Sequence, residues 1–149
     1  MKRASKILGG CAAEVCAPGG TMNARLKFDA VSCEPRTLVT RAQVQLSIGS
    51  TQRIGVATGL TATVSPLHIV AEATIDAVQG FIDHADITLD SVAEVTTGQR
   101  PLVVVTMGLR DARGKIMLAG TAVLNGDPYL AVAKAVLHAL NRRIGSLLQ

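Results

Sequence analysis

Tryptophan is absent, and Phe28, Phe81 and Tyr129 are the only aromatic residues in a chain of 149, a share of 2%. Core volume therefore has to come from Val, Leu, Ile and Ala packed tightly. The row of exposed rings on which single-stranded nucleic acid stacks is missing. No run of 18 apolar residues occurs, which argues against a membrane-spanning helix. Cysteine is sparse and odd in number. Cys11, Cys16 and Cys33 lack the close spacing and accompanying His that mark a zinc site, so reduced thiols are expected. Leu8-Gly9-Gly10-Cys11 resembles a lipid-attachment box. Only Ile7 and Leu8 precede it, however, where an export signal needs an apolar stretch of about 7 to 15 residues. A cytoplasmic protein is the expectation.

The charge balance is also thin. The net charge of +4 is spread over Lys2, Arg3 and Lys6 in the tail and Arg142 and Arg143 near the other end, with no basic stripe. Arg110, Arg113 and Lys115 surround one expected turn, but Asp111 lies among them. Nucleic-acid binding is the weaker alternative on this pattern. Catalytic constellations are missing too. His68, His84 and His138 are far apart in sequence with no carboxylate at a metal-ligand interval, and neither Ser32-Cys33 nor Thr96-Thr97 forms a nucleophile motif. No enzymatic activity, metal or cofactor is expected.

What is present is a duplication. Residues 54–82 and 116–144 align at an offset of 62, placing Ile54, Ala57, Pro66, Val70, Ala71, Ala73, Ala77 and Ile82 on Ile116, Ala119, Pro128, Val132, Ala133, Ala135, Ala139 and Ile144. Roughly two or three matches would arise by chance in Ala-rich windows of this length. Upstream, residues 26–32 meet 87–93 at an offset of 61 and pair Asp29 with Asp90 and Val31 with Val92. With hydrophobic residues at 48% and a mean hydropathy of +0.36, the chain has enough apolar surface for one core. Residues 1–24, with Gly9-Gly10 and Pro18-Gly19-Gly20, read as a flexible arm, and 25–149 as one duplicated domain.

In the first copy, strands are expected over 25–34, 39–48 and 52–59, with Gly49-Ser50-Thr51 as a turn. Val44, Leu46 and Ile48 alternate with Gln43, Gln45 and Ser47, the pattern of a sheet wet on one side, and Ile54 and Val56 are expected to face inward. The second copy repeats the order over 87–97, 102–109 and 115–124, with a polar turn at 110–114. Ser65-Pro66 and Asp127-Pro128 each place an N-cap acceptor before a proline at the first helical position, so both helices should begin there. His68, Ala71, Ile75, Val78 and Ile82, and likewise Leu130, Ala133, Leu137, Leu140 and Ile144, form apolar stripes at helical spacing, with Gly145 as a stop. The expected fold is α/β in the α+β sense: two β-β-β-α repeats with pseudo-twofold symmetry, antiparallel sheets packed with two helices. Asp29 and Asp90 suit strand ends or a wet face, and also a symmetric carboxylate pair.

That order, with Ala133-Lys134-Ala135-Val136-Leu137-His138-Ala139-Leu140-Asn141-Arg142 and Val95-Thr96-Thr97-Gly98, resembles the regulatory domain that follows the catalytic barrel in α-isopropylmalate synthases and citramalate synthases. The resemblance covers roughly residues 25–145, the extent of the repeat. It implies a homodimer or higher homo-oligomer that binds a branched-chain amino acid or related acid near helix starts and acts on a partner protein, without the catalytic barrel. The family enters its first helix through a compact G-x-G-P-V-D-A turn. Here Leu60 to Val64 separate Gly59 from Ser65, and the second glycine and the aspartate are absent. Independently of the family, helix starts favour anions. Thr58, Gly59, Ser65, Asn125, Gly126 and Asp127 are therefore the candidate ligand-binding residues for a small amino acid or 2-oxo acid. A ligand-free assembly module is the other reading.

Overall fold

The computed structural model describes residues 25–143. The expected arm, Cys11, Cys16, Ile144 and Gly145 lie outside these. The first unit consists of β1 (Lys27–Pro35), β2 (Val39–Ile48), β3 (Thr51–Leu60) and α1 (Pro66–Gln79). The second consists of β4 (Asp86–Thr97), β5 (Arg100–Asp111), β6 (Gly114–Val123) and α2 (Pro128–Leu140). Each unit is a three-stranded antiparallel sheet in sequence order followed by its helix, so the expected pair of β-β-β-α repeats is present. No helix among the described residues is long and apolar enough to cross a membrane.

The helices lie between the sheets. α1 packs on β2 and β3 of its own sheet and on β4 of the other; α2 packs on β5 and β6 and on β1. This explains why both helices are apolar on more than one face. Ile69, Val70, Ala73 and Ala77 of α1 and Val132, Ala135, Val136 and Leu140 of α2 all belong to one contiguous core, with Val44, Leu46, Val103, Val105 and Met107 beneath them. The units are also tied by a hydrogen bond remote from the linker: the Leu26 amide donates to Asn141 Oδ1 at 3.0 Å, joining the lead-in to β1 to the end of α2.

The small residues set how near each helix comes. A Cβ on Gly55 would collide with the Ala73 carbonyl oxygen and the Ala77 amide, and one on Gly120 with the Ala135 carbonyl oxygen and the Ala139 amide. With glycine there, helix backbone rests on strand backbone. The next helical residue of the same face then reaches the edge strand: Asp76 Oδ2 accepts from the Val56 amide at 3.0 Å, and His138 Nδ1 accepts from the Thr121 amide at 3.1 Å. The expectation that Ile54 and Val56 face inward fails for this reason. They are 55% and 38% exposed, and Gly55 between them is buried against the helix.

The two glycines also correct the alignment. Gly55 sits opposite Val44, and Gly120 opposite Val105. The first two strands of the units therefore correspond at an offset of 61 (44 to 105), the third strands at 65 (55 to 120), and the helices at 62 (66 to 128). The matches of Ile54 to Ile116 and Ala57 to Ala119 are coincidental; Ala57 corresponds to Ala122. The offset rises by four because the β5–β6 hairpin continues past Leu109 and Ile116 through Arg110–Lys115 and Asp111–Gly114, whereas β2–β3 closes at Ile48–Thr51. It falls by three because Gly55 precedes Pro66 by 11 residues while Gly120 precedes Pro128 by 8.

Asp29 and Asp90 do correspond. Each is the unpaired residue of a β-bulge, between Phe28 and Ala30 and between Leu89 and Ser91. Asp29 Oδ1 accepts from Ser47 Oγ at 3.3 Å, and Asp90 Oδ2 accepts from Thr106 Oγ1 at 2.9 Å. They bond within their own sheets, one in each unit, rather than to each other. At the far end, α2 stops at Leu140 with Asn141 as its C-cap, ahead of the expected stop at Gly145.

Candidate functional site

Both helix starts form as their sequences require. Ser65 takes an extended backbone and its Oγ accepts from the Leu67 amide at 3.2 Å, while Asp127 Oδ1 accepts from the Tyr129 amide at 2.9 Å. Gly126, at φ 94°, makes the turn before Asp127 that a side chain would disfavour. Proline occupies the first turn of each helix.

The two starts differ in what surrounds them. The three additional residues before α1 fold into an ordered turn. The Thr63 and Val64 amides bond to the Leu60 carbonyl at 3.1 and 3.0 Å, and Thr61 Oγ1 donates to the Arg36 carbonyl at 2.7 Å while meeting the buried Thr40 hydroxyl at 3.0 Å. This turn stands away from β4 and leaves a cleft of about 470 Å³ lined by Thr63, Val64, Ser65, Leu67 and His68 of the first unit and Val92, Ala93 and Glu94 of the second. Val64, Leu67, Val92 and Ala93 are apolar walls. The Ser65 hydroxyl and His68 lie at the positive end of the α1 dipole, and Glu94 supplies a carboxylate from the facing strand. His68 Nε2 also lies 3.9 Å from Glu72 Oε2 one turn along the helix, so the ring has a carboxylate on its own helix as well.

At the equivalent place in the second unit, Tyr129 corresponds to Leu67 (offset 62) and Cys33 to Glu94 (offset 61). Here the two side chains meet. Burial pushes the Cys33 thiol above its ordinary value, opposed by the hydrogen bond from Tyr129. Burial also raises the Tyr129 hydroxyl, and the neighbouring Cys33 and Asp127 add to the effect. Both groups stay neutral near pH 7, so this contact is a packed phenol and thiol.

Of the six residues proposed from sequence, Ser65 lines the cleft. Thr58 is exposed on the outer face of β3, Gly59 packs against Ile69, and Asn125, Gly126 and Asp127 form the separate turn before α2. The six therefore divide between two helix starts. His68, on the expected apolar stripe, is half-buried at the cleft. Glu94 and Val92 carry no local signal, because only the packing of β4 against α1 brings them there. Arg113 is held by Asp111, whose Oδ1 accepts the Arg113 amide at 2.8 Å, so the hairpin turn carries mixed charge. Among the described residues no group of three or more His, Cys, Asp or Glu is placed to hold a metal ion. No protein-family model and no curated protein matches this chain.

Proposed function

We propose that the chain is a non-enzymatic, cytoplasmic regulatory protein that senses a small apolar α-amino acid in the cleft between α1 and β4. The observation that carries this reading is the composition of the cleft, in which a helix start with Ser65 and His68 faces Glu94 across apolar walls. An amino acid carboxylate suits the helix start, its ammonium suits Glu94, and a branched aliphatic side chain suits Val64, Leu67 and Val92. The cleft draws on both units, so a bound molecule would couple them and change the surface offered to a partner protein. A regulatory module of the kind found in isopropylmalate and citramalate synthases works in this general way, and the β-β-β-α duplication supports the comparison.

Thermal denaturation with and without branched-chain amino acids, 2-oxo acids and acyl-coenzyme A compounds tests the proposal, because a ligand of the folded state raises Tm. A saturable rise with an amino acid is expected, and a smaller one with the 2-oxo acid that lacks the ammonium. Glu94→Gln should weaken the amino acid about tenfold, the loss of one exposed charge-assisted hydrogen bond at about 1.5 kcal/mol. No rise with any compound would overturn the reading, and an equal rise in Glu94→Gln would remove Glu94 from it.

A further inference from the structure

β4 is an outer strand of its sheet, paired with β5 on one side only. Its free edge runs beside α1, and Gln79 closes the first part of that edge. Gln79 Nε2 donates to the Ala85 carbonyl at 2.6 Å and Oε1 accepts from the Ile87 amide at 3.1 Å, the two bonds that a neighbouring strand would make. Because Ile87 points its N–H away from β5, alternation along the antiparallel ladder turns Leu89 and, past the Asp90 bulge, Val92 the same way. Neither of these two amides has a hydrogen-bond partner among the described residues. Leu89 borders an open groove of about 460 Å³ between α1 and β4, whose helix bank carries Glu72, Ile75 and Asp76. Val92 lies where this groove meets the amino-acid cleft.

The opposite bank, where α2 lies beside β1, has the other charge. At the helix offset of 62 the equivalents of Glu72 and Asp76 are Lys134 and His138, while Asn141, the equivalent of Gln79, holds the Leu26 amide in the same manner. We propose that an extended segment of a partner protein, bearing lysine or arginine, docks in the groove between α1 and β4 by adding a strand to the edge of β4. An unpaired edge offers backbone bonds to any extended chain, and the bank beside it selects the side chains. Glu72 and Asp76 stand one helical turn apart, about 6 Å along the axis, close to the roughly 6.6 Å between alternate residues of a strand. Two basic side chains on one face of the segment therefore meet two carboxylates. Asp76 keeps Oδ1 for this contact, since Oδ2 is on the Val56 amide. On α2, Lys134 would repel the same segment. This pairing does not depend on an amino acid in the neighbouring cleft.

Fluorescence anisotropy of the full chain with a labelled, end-blocked Val-Lys-Val-Lys-Val peptide tests this. Saturable binding is expected, with the Leu89 and Val92 amides gaining protection from hydrogen exchange. Glu72→Lys should weaken binding about fivefold or more, the scale of one exposed ion pair, while Lys134→Glu on the other bank should leave it unchanged. The same peptide N-methylated along its backbone keeps its charge and should bind at least about tenfold more weakly. No binding of the lysine peptide, equal binding of its N-methylated form or of Val-Glu-Val-Glu-Val, or protection away from the β4 edge would overturn the proposal. Protection of Leu89 and Val92 before any peptide is added would overturn it too. If that protection rose with protein concentration the edge would belong to a second copy, and if it did not, to the chain's own residues 1–24, which carry Lys2, Arg3 and Lys6.

Discussion

At the start of α1 the first unit carries three residues that the second lacks before α2, and at its hairpin tip the second unit carries four that the first lacks. Between these points the units agree in detail: a bulge at Asp29 or Asp90, a glycine at 55 or 120 beneath a helix backbone, and a helical acceptor, Asp76 or His138, on the edge-strand amide. The difference shows which parts of a duplicated unit are constrained. Helix–sheet contact has no slack, since a single methyl group would meet backbone. Lengths at exposed ends are free to change, and they are where new surfaces arise. The three residues open a cleft in one unit, and Tyr129 against Cys33 closes its counterpart in the other.

Breaking that shared geometry should have the largest effect. Gly55→Val and Gly120→Val each force a side chain into helix backbone and are expected to destabilise by about 3 kcal/mol or more, the upper part of the range for overpacking. Chemical denaturation of the two variants checks whether the units are equivalent in this respect; a loss at only one site would show that they are not. The helix caps come next. Ser65→Ala and Asp127→Ala should each cost about 1 kcal/mol, with Asp127→Ala the larger because its negative charge also interacts favourably with the positive end of the helix dipole. The edge-strand acceptors sharpen the comparison further. Asp76→Ala and His138→Ala remove one exposed hydrogen bond each and should cost about 1 kcal/mol or less, visible as faster hydrogen exchange at Val56 and Thr121 respectively.

The smallest expected effect separates the two helix starts by pH. Cys33 has a folded-state value raised above 9.0, so the folded form holds its proton more tightly than the unfolded one. The stability it contributes is complete below that value and is lost as pH rises through the folded-state value. Tyr129 acts in the same direction from above 10.0. Tm should therefore decline on the alkaline side, and less so in Cys33→Val; identical alkaline profiles would remove the thiol from the account.

The fold was legible because its signals are local. Alternation in β2, the caps at Ser65 and Asp127 and the prolines after them each act within a few residues, and all formed where expected. The inward placement of Ile54 and Val56 misled because burial was read from apolarity, whereas the helix selects Gly55, which has no side chain to signal its position. The repeat alignment missed two insertions because Ala-rich strands match at several offsets. The cleft was half legible: Ser65 and His68 mark a helix start, but Glu94 joins them only through packing between units.

Amide chemical shifts followed during a titration with leucine test the central claim most directly, because they report on both helix starts at once. Saturable changes at Ser65, Leu67, His68, Val92 and Glu94, with Asn125, Gly126, Asp127, Tyr129 and Cys33 unmoved, are the expected result. Changes centred on the turn before α2, or equal changes at both starts, would contradict the assignment of sensing to the first unit's cleft.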